Sequence, residues 1–289
     1  MGIAKRIDQA LSAAVDQARS PGCPPRLAEA LSYSVFPGGA RVRPRLCLAV
    51  AGACGDDAPG LADAAAAAIE LLHCASLVHD DMPCFDDSPL RRGKPTVHKA
   101  FGERLALLVG DAMIVLAFQT LARGGRDFPE RLGPLVLTIG EAVGMPVGIS
   151  AGQAWECEPR VVLSDYHNAK TGALFVAACV AGAQAAGADP APWRRVGERL
   201  GEAYQVADDL RDTCCNMDEL GKPVQQDTLL GRPNAVHELG VNGAVQRLRG
   251  LVDEAVVAVP SCPGATELKA LIAGESHRIL PKELALRAA

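Results

Sequence analysis

The stretch that most constrains this chain is residues 79–98, HDDMPCFDDSPLRRGKPTVH, where four carboxylates and two adjacent arginines follow an apolar run, LLHCASLV. Asp80, Asp81, Asp86 and Asp87 repel one another if left bare, so a fold that gathers them needs positive charge among them. Clustered carboxylate oxygens suit a hard ion, and Mg2+ in particular is held by one or two carboxylates together with waters and substrate phosphates. Arg91 and Arg92 are then placed to grip phosphate oxygens. Taken alone, the segment also fits a solvated acidic loop followed by a basic one, since charge runs commonly lie at the surface.

A second segment, YQVADDLRD at 204–212, favours the bound cation. At about 100° per residue, Asp208 and Asp212 fall one turn apart on one helix face. Two acidic clusters far apart in sequence could therefore face each other. The first cluster cannot rely on helical spacing, because six residues of helix carry Asp86 well around the cylinder from Asp80. Pro83 offers a way out. It lacks an amide hydrogen and its ring clashes with the carbonyl four residues back, which predicts that a helix ending in HDD breaks there. The segment from Met82 to Asp87 can then bulge and return its carboxylates toward Asp80.

Helical periodicity recurs almost everywhere and no alternating strand stands out, so the expected class is all-α. Helices are expected over about 3–18, 26–35, 44–54, 60–80, 97–122, 130–143, 165–186, 191–216, 243–258 and 264–279. Pro44 and Pro192 sit where a first turn tolerates proline, and Gly55, Gly187 and Gly240 sit where helices tend to stop. No linker interrupts the chain, which reads as a single domain over 1–289. The longest loop-like stretch, Gly221 to Asn234, follows the second acidic motif directly, as a lid would.

The chain has 289 residues, ample length to bury a sizeable core. Its formal net charge of -5 gives no reason to expect nucleic acid or an anionic membrane surface as a partner. Ten scattered cysteines, including the adjacent Cys214 and Cys215, lack paired metal-ligand spacing and read as reduced. The amino-terminal MGIAKRIDQALSAAVDQA mixes charge with apolar residues and has no signal-peptide core, so a cytoplasmic location is expected. Leu105 to Ala122 carries Asp111 in its middle, and Gly172 to Ala188 is short and rich in Gly and Ala. Both read as packed core helices, and no membrane span is expected.

Together these residues imply a helical cavity with carboxylates on two walls and basic groups near the mouth. Diphosphate chemistry fits best: Mg2+ makes a diphosphate a leaving group, and apolar helices beneath hold a hydrocarbon chain away from water. From about Val35 to Asn234 the sequence resembles a trans-prenyl diphosphate synthase. FPGGARVRP at 36–44, the first aspartate-rich stretch, GQAWE at 152–156, AKTGALF at 169–175 and YQVADDLRD match that family's motifs in order. The likeness is closest to bacterial geranylgeranyl diphosphate synthases, whose first motif has the same spacing.

The resemblance implies an all-α homodimer of the isoprenoid synthase type, with ten or more helices around a deep apolar cavity in each subunit. It makes Asp80, Asp86 and Asp208 the principal Mg2+ ligands, with Asp81 and Asp212 close behind. Asp209 and Lys170 join the catalytic set. Arg91 would bind the allylic diphosphate, and Arg43, His73 and Arg92 isopentenyl diphosphate. Lys170, Thr171, Gln205 and Lys222 would line the allylic site, with Gln153 near it. Without the motif context, His73 is a core histidine and Lys222 a solvated loop lysine. The chain departs from the family pattern at Ala40, where lysine is usual, at Gln226 and Arg232 in the loop, and at Glu156, where aspartate is usual.

The implied reaction condenses isopentenyl diphosphate with an allylic diphosphate, for isoprenoid biosynthesis of the carotenoid or a related terpenoid type. Product length is expected to depend on the position five residues before Asp80, about 7 to 8 Å down the helix. Farnesyl-forming relatives commonly carry an aromatic residue there. Here Ala75 and Ser76 leave room for the twenty-carbon chain, geranylgeranyl diphosphate. The alternatives are a farnesyl diphosphate synthase, a non-catalytic partner subunit, and a class I terpene cyclase, against which Arg43, His73 and Arg92 argue.

Overall fold

Apolar residues at helical spacing give this chain its architecture. The computed structural model describes residues 2–36, 38–161, 163–214 and 234–279, and these form two compact units: 1–140 with 181–189, and 141–180 with 190–289. The class is all-α, as the periodicity predicts. In the first unit, α1 (Ile3–Ala18) turns Ile7, Leu11, Ala14 and Val15 inward. It is followed by α2 (Pro25–Val35), α3 (Val42–Cys54) and α4 (Pro59–Asp80). Then come the two-residue strands β1 (Leu90–Arg91) and β2 (Lys94–Pro95), α5 (Val97–Phe101) and α6 (Glu103–Gly124).

The helix that positions the chemistry is α4. Its first turn carries Pro59, which loses nothing by lacking an amide hydrogen there. Ala64 to Leu72 are all buried, so small side chains let neighbouring helices approach on every side. The longest neighbour is α6, which runs antiparallel to it: Gly124 meets Ala64 and Gly110 meets His79. Both helices are long and apolar enough to cross a membrane by length and composition. Burial separates them, since 78% of the apolar window is buried in α4 but only 39% in α6. The outward face of α6 shows Leu107, Leu108 and Val115 to solvent.

The expected helix over 97–122 is broken at Gly102, whose φ of 89° is a left-handed value that favours glycine. Among the described residues the only strands are those of the β1–β2 hairpin, whose antiparallel pairs are Leu90 with Pro95 and Arg91 with Lys94. Strands of two residues are too short to show alternation. Their turn places Arg92 and Gly93 at φ 54° and 73°, the positive values that a tight hairpin turn requires.

The chain passes between the units within α7 (Pro129–Val143), within α10 (Ala173–Ala185) and again between Asp189 and Pro190. The second unit holds α8 (Ile149–Ala154), a 3-10 turn (Trp155–Cys157), α9 (Leu163–His167) and a π-helical turn (Asn168–Gly172). It continues with α11 (Trp193–Cys214), α12 (Ala235–Ala258) and α13 (Ala265–Ile279). Gly240 interrupts the helix as its position predicts: its non-helical φ 67° and ψ 167° divide α12 into two helical segments. Asn234 caps α12, its side chain accepting the amide of Val236.

Close helix contact through glycine recurs in the first unit, where a Cβ added at Gly182 of α10 would overlap the backbone oxygen of Cys47 in α3. Gly182→Leu is therefore expected to cost roughly 1–3 kcal/mol of stability through overpacking. Thermal unfolding followed by circular dichroism reads this directly, and an unchanged melting temperature would rule out the tight contact.

Candidate active site

In the first unit, α4 ends where Pro83 prevents its continuation. Beyond Asp80 the chain doubles back, with Phe85 and Asp87 donating their amides to Met82 at 2.9 and 3.1 Å and Asp86 donating to the Asp80 carbonyl at 3.0 Å. The bulge expected from Pro83 thus forms and returns Asp86 to Asp80. These carboxylates sit at the carbonyl end of a long helix, where the macrodipole is negative and cations are favoured. Asp81 is buried, and Arg91 meets it with Nε at 3.0 and 3.1 Å and Nη2 at 2.5 Å. Arg91 also lies 3.8 Å from Asp80. Burial raises the Asp81 carboxyl above its ordinary value, and Arg91 only partly offsets that. Asp87 points outward to Lys99 at 3.0 Å and is largely solvated.

The basic groups come from the first turn of α3, from α4 and from the hairpin. Arg43 Nη1 lies 3.4 Å from His73 Nε2. A guanidinium can only donate, so that nitrogen acts as acceptor and carries no proton. Arg92 donates to the Gly38 carbonyl and packs so closely on Gly39 that a Cβ there would collide with it. Burial lowers the Arg92 pKa, and Arg41 and Arg91 push it the same way while Cys74 and Glu70 oppose. Arg41, Asp87 and Arg92 all adopt positive φ, between 43° and 54°. Non-glycine residues held there store backbone strain, which clusters at functional sites.

The second unit carries the other motifs. Gly152 lets α8 press on the π-helical turn, because a Cβ there would overlap the backbone of Lys170. Gly201 of α11 packs likewise against Gly172. Lys170 Nζ and Tyr166 Oη each reach Glu156 Oε1 at 2.6 Å, and Gln153 Nε2 donates to Glu156 Oε2 at 3.1 Å. The hydroxyl of Thr171 donates to Gln205 Oε1 at 2.9 Å, and Gln205 Nε2 donates to Asp209 Oδ1 at 3.0 Å. Asp209 Oδ2 accepts the amide of Ala235 at 2.8 Å, tying α11 to the start of α12. Asp208 is exposed and 2.5 Å from Arg211, while Asp212, one turn on, is buried.

Each unit therefore gathers most of its expected residues. Asp80, Asp81, Asp86, Arg91, Arg92, Arg43 and His73 converge in the first, and Gln153, Lys170, Thr171, Gln205, Asp208, Asp209 and Asp212 lie on adjoining elements of the second. Lys222, Gln226, Arg232 and most of the expected lid, 221–234, lie outside the described residues. Ala75 is buried within α4, and the Ser76 hydroxyl is tied to the His73 carbonyl at 2.8 Å. Glu156, named in the sequence only as a departure from the family pattern, gathers Lys170, Tyr166 and Gln153 in a single network. Glu70, which the motif reading missed, pairs with Arg41 at 2.6 Å. Glu70 left a signal: it is a lone carboxylate in the apolar run AAAAAIELLHC, three residues before His73.

Carboxylates at a helix end, guanidinium groups beside them and a buried small-residue helix beneath define a helical protein suited to diphosphate ligands. The family model described as Polyprenyl synthetase matches residues 24–259, and the chain belongs to that family. A geranylgeranyl diphosphate synthase of Cereibacter sphaeroides is 53% identical over 99% of this chain and 100% of its own length. Among solved structures, a FPP/GFPP synthase from Zymomonas mobilis matches with a TM-score of 0.81 at 30% identity, covering 95% of this chain and 97% of its own. A geranyltransferase from Helicobacter pylori, complexed with magnesium and isoprenyl diphosphate, matches with a TM-score of 0.78 at 26% identity over 94% and 96%.

One consequence of this electrostatic arrangement is measurable without substrate. Burial, then the charges of Arg43, Arg92, Arg91 and Arg41, hold the half-buried His73 well below its ordinary 6.5. Below about pH 6.5 the unfolded chain binds a proton that the folded ring refuses, so this contribution to stability is lost as pH falls through that range. His73→Gln is expected to lessen the drop in urea midpoint between about pH 7 and about pH 5.5. An equal drop in both proteins would show that His73 is not held neutral.

Proposed function

We propose that this protein is a Mg2+-dependent geranylgeranyl diphosphate synthase, condensing isopentenyl diphosphate with an allylic diphosphate. The observation that carries the reading is the end of α4, where Asp86 is returned to Asp80 above a buried Ala75. The geranylgeranyl diphosphate synthase activity of the 53% identical relative supports it. The matched family segment spans parts of both compact units, which supports reading them as one polyprenyl synthase domain.

The donor types suit a hard cation: in the first unit Asp80 ends α4 and Asp86 follows it, while Asp81 is occupied by Arg91, and in the second Asp208 and Asp212 lie on α11. Asp80 and Asp86 of the first unit, and Asp208 and Asp212 of the second, would be the Mg2+ ligands. The ion when bound neutralises the diphosphate and makes it a better leaving group. Arg91 and Lys170 bind the allylic diphosphate, with Thr171, Gln205 and Gln153 orienting it. Arg43, Arg92 and neutral His73 hold isopentenyl diphosphate. Asp209, buried and bonded to Gln205 and the Ala235 amide, acts by fixing α11.

The allylic carbon–oxygen bond breaks with both electrons leaving on diphosphate. The double bond of isopentenyl diphosphate attacks the resulting carbocation, and a proton is lost to the released diphosphate. The arginines and Lys170 are charged before the reaction starts, so stabilising the leaving group requires no reorganisation of solvent.

A second copy of this chain fits the outward face of α6, where Leu107, Leu108 and Val115 are exposed, and supports a homodimer. The mostly buried α4 supports a core helix and, with it, a cytoplasmic enzyme.

Purified protein given Mg2+, isopentenyl diphosphate and farnesyl diphosphate should yield the twenty-carbon alcohol after dephosphorylation and chromatography. Fifteen-carbon alcohol as the main product from shorter allylic substrates would instead favour a farnesyl diphosphate synthase. Ala75→Tyr places a ring about 7 to 8 Å below the carboxylates. It is expected to shift the product from twenty to fifteen carbons, and a persistent twenty-carbon product would remove Ala75 from the growing chain's path.

A further inference from the structure

The turn that carries Arg43 is held by a group that touches no expected ligand. Arg41 caps α3 in the left-handed conformation, with φ 50°. Its guanidinium reaches back to the Val35 carbonyl, at the end of α2, and forward to Glu70 of α4 at 2.6 Å. Glu70 is 2% exposed, among the most enclosed charged side chains of the described residues. Three residues along α4, on the same face, His73 meets Arg43. On the other side of the turn, Arg92 bonds to Gly38 and lies against Gly39. Three guanidinium groups thus converge on one short segment, and Glu70 supplies a buried negative charge among them.

A buried carboxylate paired with arginine rarely adds net stability, because desolvating both ions costs about as much as their attraction returns. What such a pair does supply is a fixed position. Ala40 makes that position matter more here, since it removes the cation that the family pattern puts beside Arg41.

We propose that Glu70 is the positioning residue of the isopentenyl diphosphate site: by anchoring Arg41 it fixes the turn from which Arg43 reaches His73 and against which Arg92 lies. This rests on the prenyl-transfer reading above. Glu70 itself contacts neither substrate. Its loss leaves Arg43 and Arg92 present but free to move apart under their mutual repulsion.

The test is steady-state kinetics on the full chain, each substrate varied in turn, for the unmodified protein, Glu70→Gln and the double variant Arg41→Met with Glu70→Met. Replacing a buried ion pair with apolar residues of similar volume commonly preserves folding. The double variant therefore separates positioning from stability, and it gives the reading alone if Glu70→Gln does not fold. In both, the KM for isopentenyl diphosphate is expected to rise by roughly ten- to a hundredfold, as misplacement of a binding group does. The KM for the allylic diphosphate should stay unchanged and kcat nearly so. A folded double variant with an unchanged KM for isopentenyl diphosphate overturns the proposal, as does an equal rise in both KM values. No turnover of isopentenyl diphosphate by the unmodified protein would instead overturn the prenyl-transfer reading itself.

Discussion

The structure depends on how it compensates like charges gathered where a fold would ordinarily disperse them. At the end of α4, Asp80, Asp81 and Asp86 are collected at the negative end of a helix dipole. Arg91 compensates Asp81 by a bidentate ion pair and also lies 3.8 Å from Asp80. A few residues away the sign is reversed: Arg41, Arg43 and Arg92 crowd around His73, with Glu70 as the buried counter-charge. Carboxylates are thus gathered in one cluster and guanidinium groups in the other. The proposed reading puts a metal ion at the first and diphosphate oxygens at the second.

Much of this was legible in the sequence because it is local. Pro83 dictates the break after HDD, and the return of Asp86 follows from a turn of a few residues. The apolar stripes of α1 and α4 follow from helical spacing. The hairpin that presents Arg91 and Arg92 was missed because two residues per strand leave no period to detect. The divided helix at Gly102 was missed for a related reason: one residue at positive φ interrupts a helix without interrupting its hydrophobic pattern.

The site's supporting partners were harder to read, because they join residues distant in sequence. Nothing in the spacing of Arg41 and Glu70, or of Glu156 and Lys170, says that they meet. The π-helical turn is equally silent: AKTG reads as helix, and only the packing of Gly152 and Gly201 against it explains how Lys170 and Thr171 are presented. Small residues recur wherever functional elements must approach closely. Gly39 seats Arg92, Gly110 seats His79 and Gly152 seats the Lys170 backbone.

Charge compensation is testable with inorganic diphosphate as the probe, since it presents the phosphate chemistry without a hydrocarbon chain. Ligand that binds only the folded state raises the melting temperature by an amount that grows with the logarithm of its concentration over Kd. The account predicts a larger rise with diphosphate and Mg2+ together than with diphosphate alone, little with Mg2+ alone, and loss of the additional joint effect in both Asp80→Ala and Asp208→Ala. An equal rise with diphosphate alone, or an undiminished joint rise in either variant, would contradict it.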